Sequence, residues 1–376
     1  MLPELNFRVR PDEFVGQRRE IEIFRQTLQQ GLVTGRTASF AILGDWGMGK
    51  SSLLLKLAAT CSQPPFAMLP VFISVSTDIP DYLRLAEVLL SQFADVLLTA
   101  PKMQARLRSK LRNWRFERVD FGGLASVRES PRLFLSSGSS LLRHMLTEAW
   151  DHFLRPAGLN GAIFFLDDLQ NITSISKEDL ALMIRDQFQW LGIEGMNYSV
   201  CLSAKPDYYA GTKALGDPAV RFYTKFYLEP FTLEEMLEYA RPLFGLPLDI
   251  SEKVAAWLHK KTIGHPYFLA CICKYLMTTE KQIEAHTLET TWPAILEQLG
   301  REKFSSDVSK LSAKELELIH HFASLGKGEV SADHFGGKFQ REYFARLVGK
   351  GLLIRTGRGR YKLYHPLFCE FLQQTK

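Results

Sequence analysis

At 376 residues, with 46% hydrophobic and 23% charged residues, the chain has the make-up of an ordinary globular protein with two or three domains. No apolar run reaches membrane-spanning length, and the N-terminus Met1-Leu2-Pro3-Glu4-Leu5-Asn6 lacks an apolar core, so neither a membrane span nor a secretory leader is expected. The net charge of +5 is too mild to imply nucleic acid by itself, and five scattered cysteines fit a reduced, cytoplasmic compartment rather than a disulfide framework.

The first telling element is the apolar run Ala38 to Leu43, which reads as a buried strand. It runs into Gly44-Asp45-Trp46-Gly47-Met48-Gly49-Lys50-Ser51, a full match to the P-loop pattern G-x-x-x-x-G-K-[ST], and Ser52 to Leu57 then opens an apolar helix. Glycines let such a loop curl until its N–H groups face phosphate oxygens, and the helix N-terminus adds its dipole. Residues 44 to 52 are therefore expected to hold ATP or ADP. Lys50 would meet the β- and γ-phosphates, and the Ser51 hydroxyl would ligate Mg²⁺.

A second strand is expected at Leu69 to Val75, followed by a long, mostly helical stretch. Within it Lys102, Arg106, Arg108, Lys110, Arg112, Arg115 and Arg118 accompany Met103, Leu107, Leu111 and Trp114 at helical spacing. This describes an amphipathic basic helix, either a solvated face or a DNA contact, with a small hairpin after it at 119–127. Gly161 to Asp168 is an apolar strand ending in two carboxylates, the form of a Walker B strand. Asp167 is placed to hold Mg²⁺ through water and Asp168 to orient or deprotonate the attacking water. Strands at 198–203 and 225–230 complete an alternation that implies a parallel sheet covered on both faces.

Thr232-Leu-Glu-Glu235 and Ser312-Ala-Lys-Glu315 are capping-box patterns. The first opens a helical region to about 305, in which Cys271 and Cys273 are expected as buried thiols rather than metal ligands. The second opens a segment reading helix (313–324), short helix (331–336), helix (340–350), hairpin around Gly357-Arg358-Gly359, and closing helix (366–373). That order describes a winged helix.

Taken together, these motifs resemble the AAA+-like STAND ATPases, in the archaeal and bacterial group with a C-terminal winged helix. Further residues carry the resemblance. Phe14-Val15-Gly16-Gln17-Arg18-Arg19-Glu20 is similar to the F-V-G-R-x-x-E box that lies over adenine, with Gln17 where the family has Arg. Gly264-His265-Pro266 is similar to the G-x-P turn of the family's helical lid, and Asp167-Asp168 to its Asp-Asp pair. The resemblance implies an α/β fold: a parallel-sheet P-loop (ASCE/AAA+) ATPase core at 1–230 with a basic insertion at about 100–135, a helical lid at 231–305 and a winged helix at 306–376. It implies nucleotide contacts from Phe14, Val15, Gly16, His265 and Pro266, with ATP between the sheet domain and the lid. It also implies a γ-phosphate contact from Ser203 or Lys205, and an arginine finger at Arg221, a residue that reads equally as a solvated arginine.

The function so implied is a slowly hydrolysing, Mg²⁺-dependent ATPase switch controlling self-assembly or a protein partner. Two alternatives stand beside it: an initiator- or transposition-like AAA+ ATPase oligomerising on double-stranded DNA, and a non-catalytic scaffold that holds nucleotide. Lys338, Arg341, Arg346 and Lys350 near the third helix of the last segment, and Arg355, Arg358, Arg360 and Lys362 on its wing, are the expected DNA contacts there.

Overall fold

In a computed structural model of the chain, the residues described are 9–35, 38–100, 103–114, 138–206, 221–244, 248–279, 285–326 and 328–375. Lys102, Arg115, Arg118 and the hairpin expected at 119–127 lie outside them. The described residues fall into two compact units, one ending at Glu229 and the other starting at Pro230.

The first unit runs α1 (Arg18–Thr34), β1 (Ser39–Leu43), α2 (Lys50–Ser62), β2 (Leu69–Ser74), α3 (Tyr82–Thr99), α4 (Ala105–Trp114), α5 (Gly138–Ala149), β3 (Ala162–Asp167), α6 (Lys177–Ile193), β4 (Tyr198–Ala204) and β5 (Tyr223–Tyr227). Its five strands form one sheet in the order β2-β3-β4-β1-β5, every pair parallel. Alternate residues of each strand feed two separate cores. Leu43, Val71, Phe164, Leu166 and Val200 face one, while Phe40, Ile42, Ile163, Phe165 and Phe226 face the other. Helices α3, α5 and α6 cover the first face, and α1 and α2 cover the second. Strands β1, β3 and β4 are buried along their whole length, which is why their sequences do not alternate between apolar and polar, whereas β2 and β5 at the edges are partly exposed. Strand β5 starts at Tyr223, two residues before the sequence suggests, because the parallel register pairs Tyr223 with Ser39 and Thr224 with Phe40.

The second unit runs α7 (Leu233–Phe244), α8 (Leu248–Thr262), α9 (Pro266–Thr279), α10 (Ala285–Leu299), α11 (Ser305–Ser309), α12 (Ala313–Ser324), β6 (Val330–Ser331), α13 (Arg341–Gly349), β7 (Leu353–Gly357), β8 (Arg360–Leu363) and α14 (Pro366–Gln374). Both capping boxes form: Thr232 with Glu235 ahead of α7, and Ser312 with Glu315 ahead of α12. Cys271 and Cys273 are buried, free thiols in α9. The short helix expected at 331–336 is a 3₁₀ turn over Ala332–Phe335. Strand β6 pairs with β8 to make a three-stranded sheet, and two residues are too few to leave a sequence pattern.

One core serves the whole second unit, taking in Met236, Leu258, Phe268 and Leu296 together with Leu318, Phe344, Leu353 and Phe368. His365 is a buried link across it. Its Nδ1 accepts from the Leu367 N–H at 3.1 Å, so Nε2 carries the proton and donates to the Thr262 carbonyl at 2.8 Å. Thr262 ends α8, and Ile263 and Gly264 follow with φ of 46° and 74°. Gly264 has no room for a side chain: a Cβ there would lie 2.2 Å from the Phe231 carbonyl oxygen.

Candidate functional site

The C-terminal ends of β1, β3 and β4 converge on the loop from Gly44 to Lys50. Strand β4 lies between the other two, so the P-loop and the strand-end carboxylates stand two strands apart. The loop leaves the sheet at Gly44, whose N–H bonds the Ala204 carbonyl at 3.2 Å. A Cβ at Gly44 would stand 3.1 Å from that of Leu228. Gly47 and Gly49 have φ of 77° and 87°, a left-handed curl that L side chains resist, and Lys50 starts α2. Met48 is buried beneath the loop, while Asp45 is exposed and Trp46 is 47% exposed.

Lys50 is 8% exposed, and its Nζ donates to the Gly44 and Asp45 carbonyls at 2.9 Å each. Burial lowers the pKa of this ammonium, against the pull of the Asp168, Asp167 and Asp45 carboxylates, and the Lys205 charge lowers it further. Ser51 and Ser52 follow on the first turn of α2, where the Ser52 hydroxyl accepts from the Val9 N–H at 3.2 Å and Lys56 Nζ donates to the Pro11 carbonyl at 2.7 Å. These two bonds lay the segment leading to Phe14 and Val15 along α2. Gly16 is buried with φ 82°, and Gln17, also left-handed, donates to the Glu229 carbonyl at 3.3 Å.

Asp167 is fully buried at the end of β3. The Ser203 hydroxyl donates to its Oδ1 at 2.6 Å and accepts from the Asp168 N–H at 2.9 Å. The hydroxyl expected to touch γ-phosphate is thus engaged with the carboxylate pair, while the side chain of Lys205 is exposed. Asp168 has φ 59° and ψ 47°, an unusual backbone for a residue other than glycine, and its Oδ1 accepts from Gln170 Nε2 at 2.9 Å. Gln170 did not stand out in the sequence, since no spacing rule marks it. Arg221 is exposed at the entry to β5. His265 and Pro266 belong to the second unit, where the His265 ring lies 4.8 Å from Phe268 and 5.5 Å from His365, centroid to centroid.

The residues present fit a nucleotide and Mg²⁺. The left-handed backbone at Gly47 and Gly49, which L side chains resist, gives the loop the curl that a phosphate cradle needs. Among the described residues no group of three or more His, Cys, Asp or Glu stands ready to hold a metal by itself. A single buried carboxylate, Asp167, suits an ion that keeps its waters and takes its other ligands from phosphate.

No protein-family model matches the chain, and a search of curated proteins returned no match. Solved structures do match it. A Walker-type ATPase of Pyrococcus abyssi is 17% identical with a TM-score of 0.59, over 99% of this chain and 100% of the other. The ORC2 protein of Aeropyrum pernix, in ADPNP–ADP complexes, is 13% identical with a TM-score of 0.61, over 98% of this chain and 96% of the other. The fold is that of an AAA+-like P-loop ATPase. Lys50, Asp167, Asp168 and Ser203 lie at the C-terminal edge of the sheet, the edge at which open parallel α/β sheets bind their ligands.

Proposed function

We propose that the chain binds ATP at Gly44–Ser52 and hydrolyses it slowly, as a switch whose nucleotide state controls self-assembly or engagement of a partner. The observation that carries this reading is a strand-to-helix loop with two left-handed glycines that folds the buried Lys50 ammonium back onto its own Gly44 and Asp45 carbonyls. Such a loop offers backbone N–H groups and one cation to phosphate, and little else needs them.

In this reading the loop N–H groups and Lys50 bind the phosphates. Ser51 and Asp167 are the residues that would hold Mg²⁺, which when bound supplies positive charge against the phosphate oxygens. Asp168 orients the attacking water and takes a proton from it. The water oxygen bonds to the γ-phosphorus while the bond to the β,γ-bridging oxygen breaks, and that electron pair leaves with ADP. Phe14, Val15 and Gly16 are assigned to adenine and His265-Pro266 to sensing nucleotide, by resemblance. Arg221 is assigned as a finger offered to a second copy of the chain. Five free, buried cysteines support a reducing, cytoplasmic setting.

We read residues 306–376 as a winged helix and its wing as a contact for duplex DNA. Ion pairs narrow the cations available. Lys338 pairs with Glu317, Lys350 with Glu315, Arg346 with Glu342 and Arg360 with Glu329. Arg341, Arg355, Arg358 and Lys362 carry no ion pair among the described residues. In the insertion, Arg108 turns inward and donates to the Ala100 carbonyl at 3.2 Å, while Lys110 and Arg112 are exposed.

The test of the chemistry is Asp168→Asn. It should bind ATP like the wild type and lose turnover by roughly 10²- to 10⁴-fold, the range expected for a general base. Equal turnover in the two proteins would remove Asp168 from the mechanism.

A further inference from the structure

We propose that the second unit is one rigid arm, with no joint between its helical region and its C-terminal segment. Tyr364 and His365 latch α14 to the helices before it, so the sheet of β6, β7 and β8 follows the Gly264 turn. The rigidity stands without the ATPase reading above; only the use of the arm as a switch rests on that reading.

The chain offers no linker where a domain boundary is expected. The position 305–306 falls inside a helical run, because α10 passes through a wide π-type turn at Gly300–Phe304 directly into α11. Leu299, Phe304 and Ser305 all keep right-handed helical backbone. A π-type turn is a place where a helix can bend, and here α14 is packed on it. A Cβ at Gly300 would lie 2.6 Å from the Phe371 ring, so glycine is what lets α14 approach. The Phe304 ring lies 5.4 and 5.3 Å from those of Phe368 and Phe371. The link after α11 is short, and its Lys310 carbonyl accepts from Lys350 Nζ at 2.9 Å.

Two consecutive residues then tie the start of α14 to two different helices. Tyr364 donates its hydroxyl proton to Asp307 Oδ2 on α11 at 3.1 Å, and Lys303 Nζ holds the other carboxylate oxygen at 2.5 Å. His365 donates to the Thr262 carbonyl at the end of α8 and caps α14 through the Leu367 N–H. The Thr262 carbonyl also accepts from the His265 N–H at 3.0 Å, so the imidazole shares its acceptor with the turn itself. The His365 ring stands 4.2 Å from that of Phe268, centroid to centroid. Further along α14, Glu370 accepts from Trp292 Nε1 of α10 at 3.0 Å.

Helix α14 is thus bonded to α8, α10 and α11, and it follows directly on wing strand β8. Breaking any of the buried bonds would leave a polar group unpaired inside the core, which holds them to one geometry. A close-packed interior transmits a displacement instead of absorbing it. Movement of the Gly264 turn therefore carries the wing with it.

Spin labels at Lys253→Cys on α8 and Arg358→Cys at the turn of the wing read the internal distance of the arm by double electron–electron resonance. The five native cysteines are buried and stay unlabelled. The full chain should give one narrow distance, alone and with MgADP or MgATP, and any shift should stay within the about 1–2 Å that packed helices slide. A broad or two-peaked distribution in the free chain overturns the proposal, and so does a larger shift with nucleotide. His365→Asn separates latch from cap, because asparagine still caps α14 but has no ring nitrogen to give Thr262. Amide hydrogen exchange at 262–268 should rise roughly 5- to 10-fold, the scale of one lost buried bond, while α14 stays protected. If that variant folds poorly, Tyr364→Phe removes the hydroxyl alone and should raise exchange at 305–309 in the same way. Wild-type exchange in the folded variant overturns the latch. A chain with one narrow distance that binds no MgATP leaves the arm standing and overturns the switch reading instead.

Discussion

Ser203 donates its hydroxyl proton to Asp167 at 2.6 Å, and both residues are fully buried. The same oxygen receives the Asp168 N–H. One small side chain on β4 therefore aligns both carboxylates at the end of β3.

Ser203→Ala should leave the buried Asp167 carboxylate short of a donor and the Asp168 N–H without its acceptor. The cost in unfolding stability should be about 1–3 kcal/mol. ATP turnover should fall further than ATP affinity, since the carboxylates lose alignment while the P-loop keeps its shape. Denaturant melts and steady-state kinetics of the variant check both statements. A variant with unchanged stability and kcat would show that β3 aligns its carboxylates unaided.

Acid sensitivity should appear at Glu315. Burial pushes its carboxyl up, but the Lys350 ammonium at 2.8 Å and the bonds from Ser312 outweigh this and hold it at about 2, below its ordinary 4.5. A carboxyl depressed in the folded state contributes stability above its unfolded value and loses it on acidification. The contribution should thus be full at neutral pH and fade as pH falls from about 4.5 toward about 2. Glu315→Gln should melt below wild type at pH 7, with the gap closing in acid. A gap that is constant with pH would contradict this.

The basic wing makes a prediction in salt. If Arg355, Arg358 and Lys362 contact phosphate, duplex affinity should fall steeply with ionic strength, and each neutralised residue should reduce the log–log slope by about one. Neutralising Arg346 or Lys350, already paired to Glu342 and Glu315, should change the slope far less. Fluorescence anisotropy over a salt series distinguishes the two sets. Equal slopes for both would mean that the ion pairs do not govern which cations reach DNA.

The parts of the site legible in the sequence are those the backbone itself demands. Gly47 and Gly49 are glycines because the loop needs left-handed turns, and the carboxylates end an apolar strand because strand ends open at the ligand crevice. What escaped notice depends on partners distant in sequence. Ser203 reaches Asp167 because β4 pairs beside β3, with Leu202 opposite Leu166, and no local pattern reports that register. His365 meets Thr262 across 103 positions, so the sequence did not show that α8 and α14 are tied within one core. The basic stretch in the C-terminal segment read as one cluster because sequence shows cations but not the Glu residues that fold against them.

The loop from Gly44 to Ser52 should bind ATP through Lys50, and calorimetric titration of MgATP into wild type and Lys50→Ala reads that dependence. The variant loses the one P-loop cation able to meet the phosphates, and with it the donor to the Gly44 and Asp45 carbonyls. Wild type should bind saturably with one site, and the folded variant should bind far more weakly or show no heat of binding. Equal affinity in the two proteins, with matching melts, would leave Lys50 without a part in nucleotide binding.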